Sequence, residues 1–245
     1  MGVHDTKSHM ISKRTVTIII VSAFFCIALA VLLVSPLFKV RNIKVVGNMY
    51  IPTEDVCRIA GAFEGENIFQ LHTNKMTEQL NGDLRIEKAS VRRVFPSTVE
   101  IQVQERVPLA RIACEYGYLE IDHEGKVLDA YRSPKNIEVP MVTGIIVRDL
   151  YVGDEIQESS VQKVLKYLTY LDPESVKQLV EIHIVLPDRA IAYTAGSVQI
   201  RIGTLERLEE KAKLTEGFLA ELKIAKHPIE YIDFDFASPF IKFRK

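Results

Sequence analysis

The chain has 245 residues, 47% of them apolar and 26% charged, with 12 Gly, 10 Pro and 3 Cys. That composition excludes a disordered or fibrous chain and leaves room for one or two globular domains. The net charge of −1 is unevenly placed. Lys7, Lys13 and Arg14 against Asp5 give the first 14 residues +2, which leaves −3 on the body beyond residue 38. A mildly acidic body is not that of a nucleic-acid binder, and it shows no polybasic patch for anionic lipid.

In chain order, the first predicted element is the uncharged run Thr15–Phe38, 24 residues long. As a helix it would measure about 36 Å, enough to cross a hydrocarbon core of ~30 Å. A cleaved signal peptide is the alternative, with Lys13-Arg14 as its basic region and Ala28-Leu29-Ala30 as a cleavage site. The apolar run continues past Ala30 through Val31–Val34, longer than the ~7–15 residues of signal segments, so retention as an anchor is expected. Three Lys/Arg flank each side (Lys39, Arg41 and Lys44 follow the run), so the positive-inside rule leaves orientation undecided.

Val40–Val46 reads as a strand ending at Gly47-Asn48. Thr53 is the expected N-cap of a short helix carrying Val56, Ile59 and Ala60 and closed by Gly61. Asn74–Leu80 reads as a second helix. Ile86–Val94 and the segment holding Val99, Ile101 and Val103 read as two strands turned at Phe95-Pro96-Ser97, the second with clean alternation against Glu100, Gln102 and Gln104. The order β-α-α-β-β predicts a small three-stranded sheet with two helices on one face.

From Leu109 onward strands dominate. Tyr118–Ile121 and Lys126–Leu128 flank the hairpin loop Asp122–Gly125, Pro140–Gly144 is a turn-bounded segment, and Ser159–Leu171 carries a helical stripe. Glu181–Leu186, Ala190–Thr194 and Ser197–Ile202 read as strands. Leu205–Leu222 reads as a helix with Leu205, Leu208, Ala212, Thr215, Phe218, Leu219 and Leu222 inward, and Ile229–Phe236 and Phe240–Phe243 as closing strands. The fold class is α+β: one N-terminal transmembrane helix, a β-α-α-β-β domain, and a mixed β-rich domain with packed helices on an antiparallel-leaning sheet.

Catalytic chemistry finds little support. His72, His123, His183 and His227 are isolated, with no HExxH pattern and no phosphate loop. Asp122-His123-Glu124 reads as a solvated hairpin tip, and Glu209-Glu210 with Lys211 and Lys213 as a charged helix surface. Cys26 lies in the apolar run, and Cys57 and Cys114 fall in separate domains, where two buried free thiols are expected over a disulfide. No cofactor, metal site or enzymatic activity is expected.

The ordered motifs resemble the bacterial FtsQ/DivIB cell division family. FKVRNIKVVGN (residues 38–48) looks like the opening strand of that family's POTRA domain. VRRVFPSTVEIQVQERVPLA, with Arg93, Pro96, Glu105, Arg106, Pro108 and Ala110, looks like its closing hairpin. LEIDHEGKVL with PMVTG is similar to the start of the family's β domain, and IRIGTLERLEEKAKL and YIDFDF to its last helix and late strand. The resemblance implies a cytoplasmic tail (1–14), a transmembrane helix (15–38), a POTRA domain (39–107) and a β domain (108–245), with both domains outside the cytoplasmic membrane. It implies a divisome scaffold at the septum that binds FtsL-like and FtsB/DivIC-like membrane proteins, with no nucleic acid and no small-molecule substrate. The alternative is a POTRA-type chaperone or secretion component holding extended polypeptides on a sheet edge. The partner-binding residues implied by position are Phe236, Ser238, Phe240, Lys242 and Arg244. Asp235 departs from the family pattern, where a basic residue often stands, and Pro239 replaces a Gly-like turn.

Overall fold

The computed structural model describes residues 13–133, 138–225, 227–236 and 238–244. The basic tail therefore lies almost wholly outside the described residues. The chain divides into two compact units, Met1–Glu105 and Arg106–Lys245.

In the first unit, α1 (Lys13–Val34) is apolar on every side, and its residues from Arg14 to Val34 are exposed, the last turn included. A helix apolar all round needs an apolar surrounding, and at ~33 Å it has the length of a membrane span. A single 3-10 turn, Pro36–Phe38, connects it to the first domain. There β1 (Asn42–Val46), α2 (Thr53–Ala60), α3 (Thr73–Asn81), β2 (Ile86–Val94) and β3 (Thr98–Glu105) follow in the expected order. The sheet order is β1-β3-β2, with β1 parallel and β2 antiparallel to β3. Alternation along β3 turns Val99, Ile101 and Val103 into a core shared with Val56 and Ala60 of α2 and Met76 and Leu80 of α3.

Two local expectations are corrected. The first strand begins at Asn42, not Val40, because Val40 pairs with the loop before Ile68: its N–H donates to Glu66 O (2.8 Å) and its carbonyl accepts from Gly65 N–H (2.8 Å). Thr53 is the first helical residue and Pro52 the N-cap. The Thr53 hydroxyl instead accepts from Asn48 Nδ2 at 3.3 Å, while Pro52 O takes the N–H groups of Asp55 and Val56. Gly61 closes α2 in the left-handed conformation, as expected.

The second unit is one nine-stranded mixed sheet. Its strands are β4 (Ala110–Cys114), β5 (Gly117–Ile121), β6 (Val127–Tyr131), β7 (Met141–Val147), β8 (Leu179–Leu186), β9 (Arg189–Thr194), β10 (Gln199–Thr204), β11 (Ile229–Asp233) and β12 (Phe240–Phe243). Their order is β12-β11-β10-β9-β8-β7-β4-β5-β6. Parallel pairs β4–β7, β7–β8 and β10–β11 interrupt an otherwise antiparallel sheet. Three helices, α4 (Ser159–Thr169), α5 (Pro173–Gln178) and α6 (Leu208–Leu222), supply the apolar stripes that share its core. Tyr167 of α4 is fully buried, and its hydroxyl meets Thr215 Oγ1 of α6 at 2.6 Å.

Several expectations fail here for visible reasons. The segment Pro140–Gly144, expected to be bounded by turns, does not turn at Gly144: Met141–Gly144 is the first part of the central strand β7. Gly144 sits at φ +85° where a Cβ would lie 2.0 Å from Ile184 O, so glycine serves strand packing and not a turn. The last helix starts at Leu208, since Leu205 N–H is fixed to Asp188 O (2.6 Å) and Arg207 adopts φ +50°. Lys211 is not a surface residue of α6. It is buried, and its Nζ donates to Thr204 O at 2.6 Å, while burial first, against the charge of Asp235, lowers its pKa. The strands expected at 126–128 and 229–236 run instead over Val127–Tyr131 and Ile229–Asp233, and β4 and α5 were not anticipated. Cys26, Cys57 and Cys114 are all free thiols.

Candidate partner-binding edge of the second domain

β12 ends the sheet order, so one of its two sides has no strand beside it among the described residues. It pairs antiparallel with β11 through Asp233↔Phe240, Ile232↔Ile241, Tyr231↔Lys242 and Ile229↔Phe243, with a bulge at Glu230. The N–H of Arg244 donates to Pro228 O at 2.8 Å. By the two-residue alternation of an antiparallel ladder, the backbone groups of Ile241 and Phe243 point away from β11, toward the open side. Pro239 has no N–H, which suits a residue entering an edge strand.

The same alternation sorts the side chains. Ile232 is buried and Ile241 packs partly against the core. Their neighbours Tyr231, Phe240 and Lys242 take the opposite face. There the Arg201 guanidinium of β10 lies 3.6 Å from the Tyr231 ring centroid, and Lys242 Nζ lies 5.5 Å from it on the other strand. The Phe240 ring is 6.2 Å from Tyr231 and 6.0 Å from Phe236. Cation–π contacts of this kind contribute about 0.5–1 kcal/mol at exposed sites. Acidic groups balance the cations: Lys242 Nζ is 3.2 Å from Glu230 Oε2, and Arg201 Nη1 is 3.7 Å from Asp233 Oδ2.

Of the five residues expected at the edge, the fold brings Phe236, Phe240 and Lys242 into one aromatic and cationic row. Ser238 and Arg244 are exposed just before and just after β12, outside the ring contacts. Phe243, two residues beyond Ile241 in the alternation, stays about half exposed, with His227 edge-on at 6.3 Å. Sequence reasoning missed Arg201 and Tyr231. Their signal was the out-facing phase of two apolar-alternating strands that β10–β11 pairing sets side by side, Gln199 opposite Tyr231 and Arg201 opposite Asp233. Asp235, the departure from the family pattern, is turned to other work: its carboxylate binds Arg189 and accepts from Thr204 N–H at 3.3 Å.

The Asp122-His123-Glu124 loop is corrected as well. Asp122 is fully buried and not part of a solvated tip. Its carboxylate accepts from Glu124 N–H and Lys126 N–H, both at 2.9 Å, and from Arg106 Nη1 at 2.5 Å. All its nearest donors are therefore structural, and the loop is a fastening. The neighbouring Glu105 does the matching task in the first unit: its carboxylate accepts from the N–H groups of Met49, Tyr50 and Ile51 at 2.8–3.1 Å.

A family model described as "POTRA domain, FtsQ-type" matches residues 38–106, and one described as "Cell division protein FtsQ/DivIB, C-terminal" matches residues 110–235. The chain is similar to the cell division protein FtsQ of Syntrophotalea carbinolica, 28% identical over 217 residues that cover 87% of this chain and 76% of that protein. It is similar to the cell division protein DivIB of Clostridium botulinum strain Loch Maree, 23% identical over 225 residues, 90% of this chain and 88% of that one. Among solved structures, the major extracytoplasmic domain of DivIB from Geobacillus stearothermophilus matches at 16% identity and a TM-score of 0.35, covering 49% of this chain and 97% of that one. With its two family-model matches together spanning most of its length, the chain belongs to the FtsQ/DivIB family of bacterial cell division proteins.

Proposed function

We propose that this protein is a non-enzymatic scaffold of the divisome, anchored by a single transmembrane helix in the cytoplasmic membrane at the septum. In this reading residues 1–14 are cytoplasmic, 15–38 span the bilayer, and the POTRA domain (39–107) and β domain (108–245) lie outside. Its partners are FtsL-like and FtsB/DivIC-like membrane proteins, whose external segment adds a strand to β12. The observation that supports this most directly is the open side of β12 beside the row Phe236, Phe240, Tyr231, Lys242 and Arg201. Strand addition draws affinity from backbone bonds and selectivity from alternate side chains, and this edge offers both. Phe236, Ser238, Phe240, Lys242 and Arg244 are the proposed contact residues. The test replaces Phe240 by Asp or deletes Phe240–Lys245 and measures capture of the partner's external segment. Circular dichroism should remain native while capture is lost. Native-like capture by a folded variant would place the interface elsewhere.

A further inference from the structure

The first domain carries a second exposed aromatic group, at the end next to the membrane helix. Phe38, Phe69 and Phe95 form a chain of rings, with centroids 5.0 Å apart for the first pair and 5.3 Å for the second. Phe69 is 43% exposed, Phe95 57% and Leu37 49%. Contiguous exposed apolar side chains on a domain surface call for an occupant.

Three observations say what that occupant is. Phe38 is only four residues beyond Val34, where α1 ends, and one 3-10 turn separates them. The loop bearing Phe69 is fastened directly to the last turn of α1: Asn67 Nδ2 donates to Leu33 O at 2.8 Å, and Asn67 Oδ1 accepts from Phe69 N–H at 2.9 Å. Arg93 then ties that loop to the hairpin bearing Phe95, donating from Nε to Ile68 O at 2.8 Å and from Nη2 to Leu71 O. The three rings are thus fixed in position beside the C-terminal end of α1.

We infer that Phe38, Phe69 and Phe95, with Leu37, are a lipid-seated foot of the POTRA domain, inserted in the headgroup region of the same leaflet from which α1 emerges. The inference rests on reading α1 as the membrane anchor. The occupant is phospholipid. Apolar side chains at a membrane surface sit about 5–10 Å into the headgroup and acyl boundary, a depth consistent with rings carried on the turn that follows the helix end. Lys39 and Arg41, both exposed, follow the foot at once in sequence and suit the phosphate level. The foot holds the domain at one height and tilt, which a single-helix tether would not do by itself.

The chain contains no tryptophan, so one introduced tryptophan reports its own site. Full-length Phe69→Trp and Phe95→Trp are reconstituted in phosphatidylcholine vesicles, with Tyr50→Trp as control. Tyr50 is highly exposed and lies beyond the far end of β1, whose five residues lead away from the foot. Expected are blue-shifted emission at positions 69 and 95, loss of that emission in vesicles brominated near the headgroup end of the acyl chain, and less loss with bromine near the methyl end. The control should emit as in water and respond to neither. Emission at 69 and 95 matching the control overturns the foot, as does a blue shift without bromolipid quenching, which would mean that protein covers the rings. Flotation of the same vesicles in alkaline buffer separates the two readings. Flotation without quenching removes the foot alone, whereas loss of flotation removes the anchor and the foot together.

Discussion

Replacing Asp122 by alanine removes the acceptor of three hydrogen bonds at once. Arg106 Nη1 and the N–H groups of Glu124 and Lys126 lose their partner. The Asp122 side chain is 1% exposed and that of Arg106 15%, so this pair is shielded from water in a way that surface pairs are not. Removing one member of a buried ion pair costs about 3–5 kcal/mol, because the other charge stays behind uncompensated. Here Glu124 Oε2 remains 2.8 Å from Arg106 Nη1, but its side chain is 54% exposed and such a pair contributes at most about 1 kcal/mol. The lower end of the range applies, about 3 kcal/mol. For a unit of this size that lowers Tm by roughly 9–15 °C, taking roughly 3–5 °C per kcal/mol. Asp122→Asn keeps an oxygen for the two N–H groups and loses the charge, so it should fall between wild type and alanine. Thermal unfolding followed by circular dichroism, checked by urea midpoints at unchanged slope, gives the answer. A fall of less than about 3 °C for Asp122→Ala would show that the loop is a solvated tip after all and that the buried-pair reasoning is wrong.

Three further outcomes follow from single positions. Burial alone would raise the Glu105 carboxyl, but the N–H groups of Ile51, Tyr50 and Met49 and the Arg85 charge hold it below the usual carboxylate range. A depressed carboxylate stabilises fully above its unfolded value, ~4.3, and loses that stabilisation as pH falls through its folded value. Glu105→Gln should therefore destabilise at neutral pH, by roughly 1–3 kcal/mol, and the gap from wild type should close in urea titrations repeated below about pH 4; a pH-independent gap would refute the assignment. Gly144→Ala meets Ile184 O at 2.0 Å at φ +85°, whereas Gly153→Ala at φ +96° meets nothing within 4 Å. The second should cost roughly 1–2 kcal/mol from backbone conformation alone, the first clearly more, and equal midpoints would contradict the packing role of Gly144. Tyr167→Phe removes the partner of Thr215 Oγ1, which still donates to Lys211 O, so its loss should be about 1 kcal/mol; a loss above roughly 3 kcal/mol in urea unfolding would mean that the hydroxyl supports more than this bond.

Most of the first domain was legible because its elements obey one period each. Val99, Ile101 and Val103 alternate, the helices close at Gly61 and after Asn81, and the hairpin turns at its proline. The second domain hid more. Asp172-Pro173-Glu174-Ser175 is a full helix start: the Asp172 carboxylate accepts from Glu174 and Ser175 N–H groups, both at 3.0 Å, and proline follows it. The six-residue helix is too short for its apolar period to announce it, so only the cap gave notice. Pro140 and Gly144 suggested turns bounding a short segment, where long-range pairing with β4 and β8 builds a strand that runs from Met141 on to Val147, since sheet partners are set by contacts that sequence-local signals do not carry. Lys211 and Asp122 misled for a single reason: charged residues are buried only when a partner waits, and those partners, Thr204 O and Arg106, are named by the fold. At the candidate edge the terminal strand was readable, whereas Tyr231 joined it through the antiparallel β11–β12 pairing and Arg201 through the parallel β10–β11 pairing.

The proposed edge is small, and its size leads to a last expectation. β12 spans four residues, and only Ile241 and Phe243 direct backbone groups to the open side. A partner strand would gain two to four backbone bonds, at roughly 0.5–1.5 kcal/mol net each. Covering Phe240 and Phe236 adds about 1.5–3 kcal/mol apiece at full burial. Against these stands an association cost of roughly 4–15 kcal/mol in solution. The sum is a weak complex when both partners diffuse freely. Two chains anchored in one bilayer have already lost much of that freedom, and tethering of this kind raises apparent affinity by about 10²–10⁴-fold without a new contact. Residues 39–245 should therefore bind a partner's soluble external segment at least about a hundredfold more weakly than full-length chains associate when reconstituted together at matched surface density. Fluorescence energy transfer between labelled chains measures the second, and titration by calorimetry the first. Affinities equal within about tenfold would mean that the contact extends well beyond β12, and that membrane anchoring serves placement and not strength.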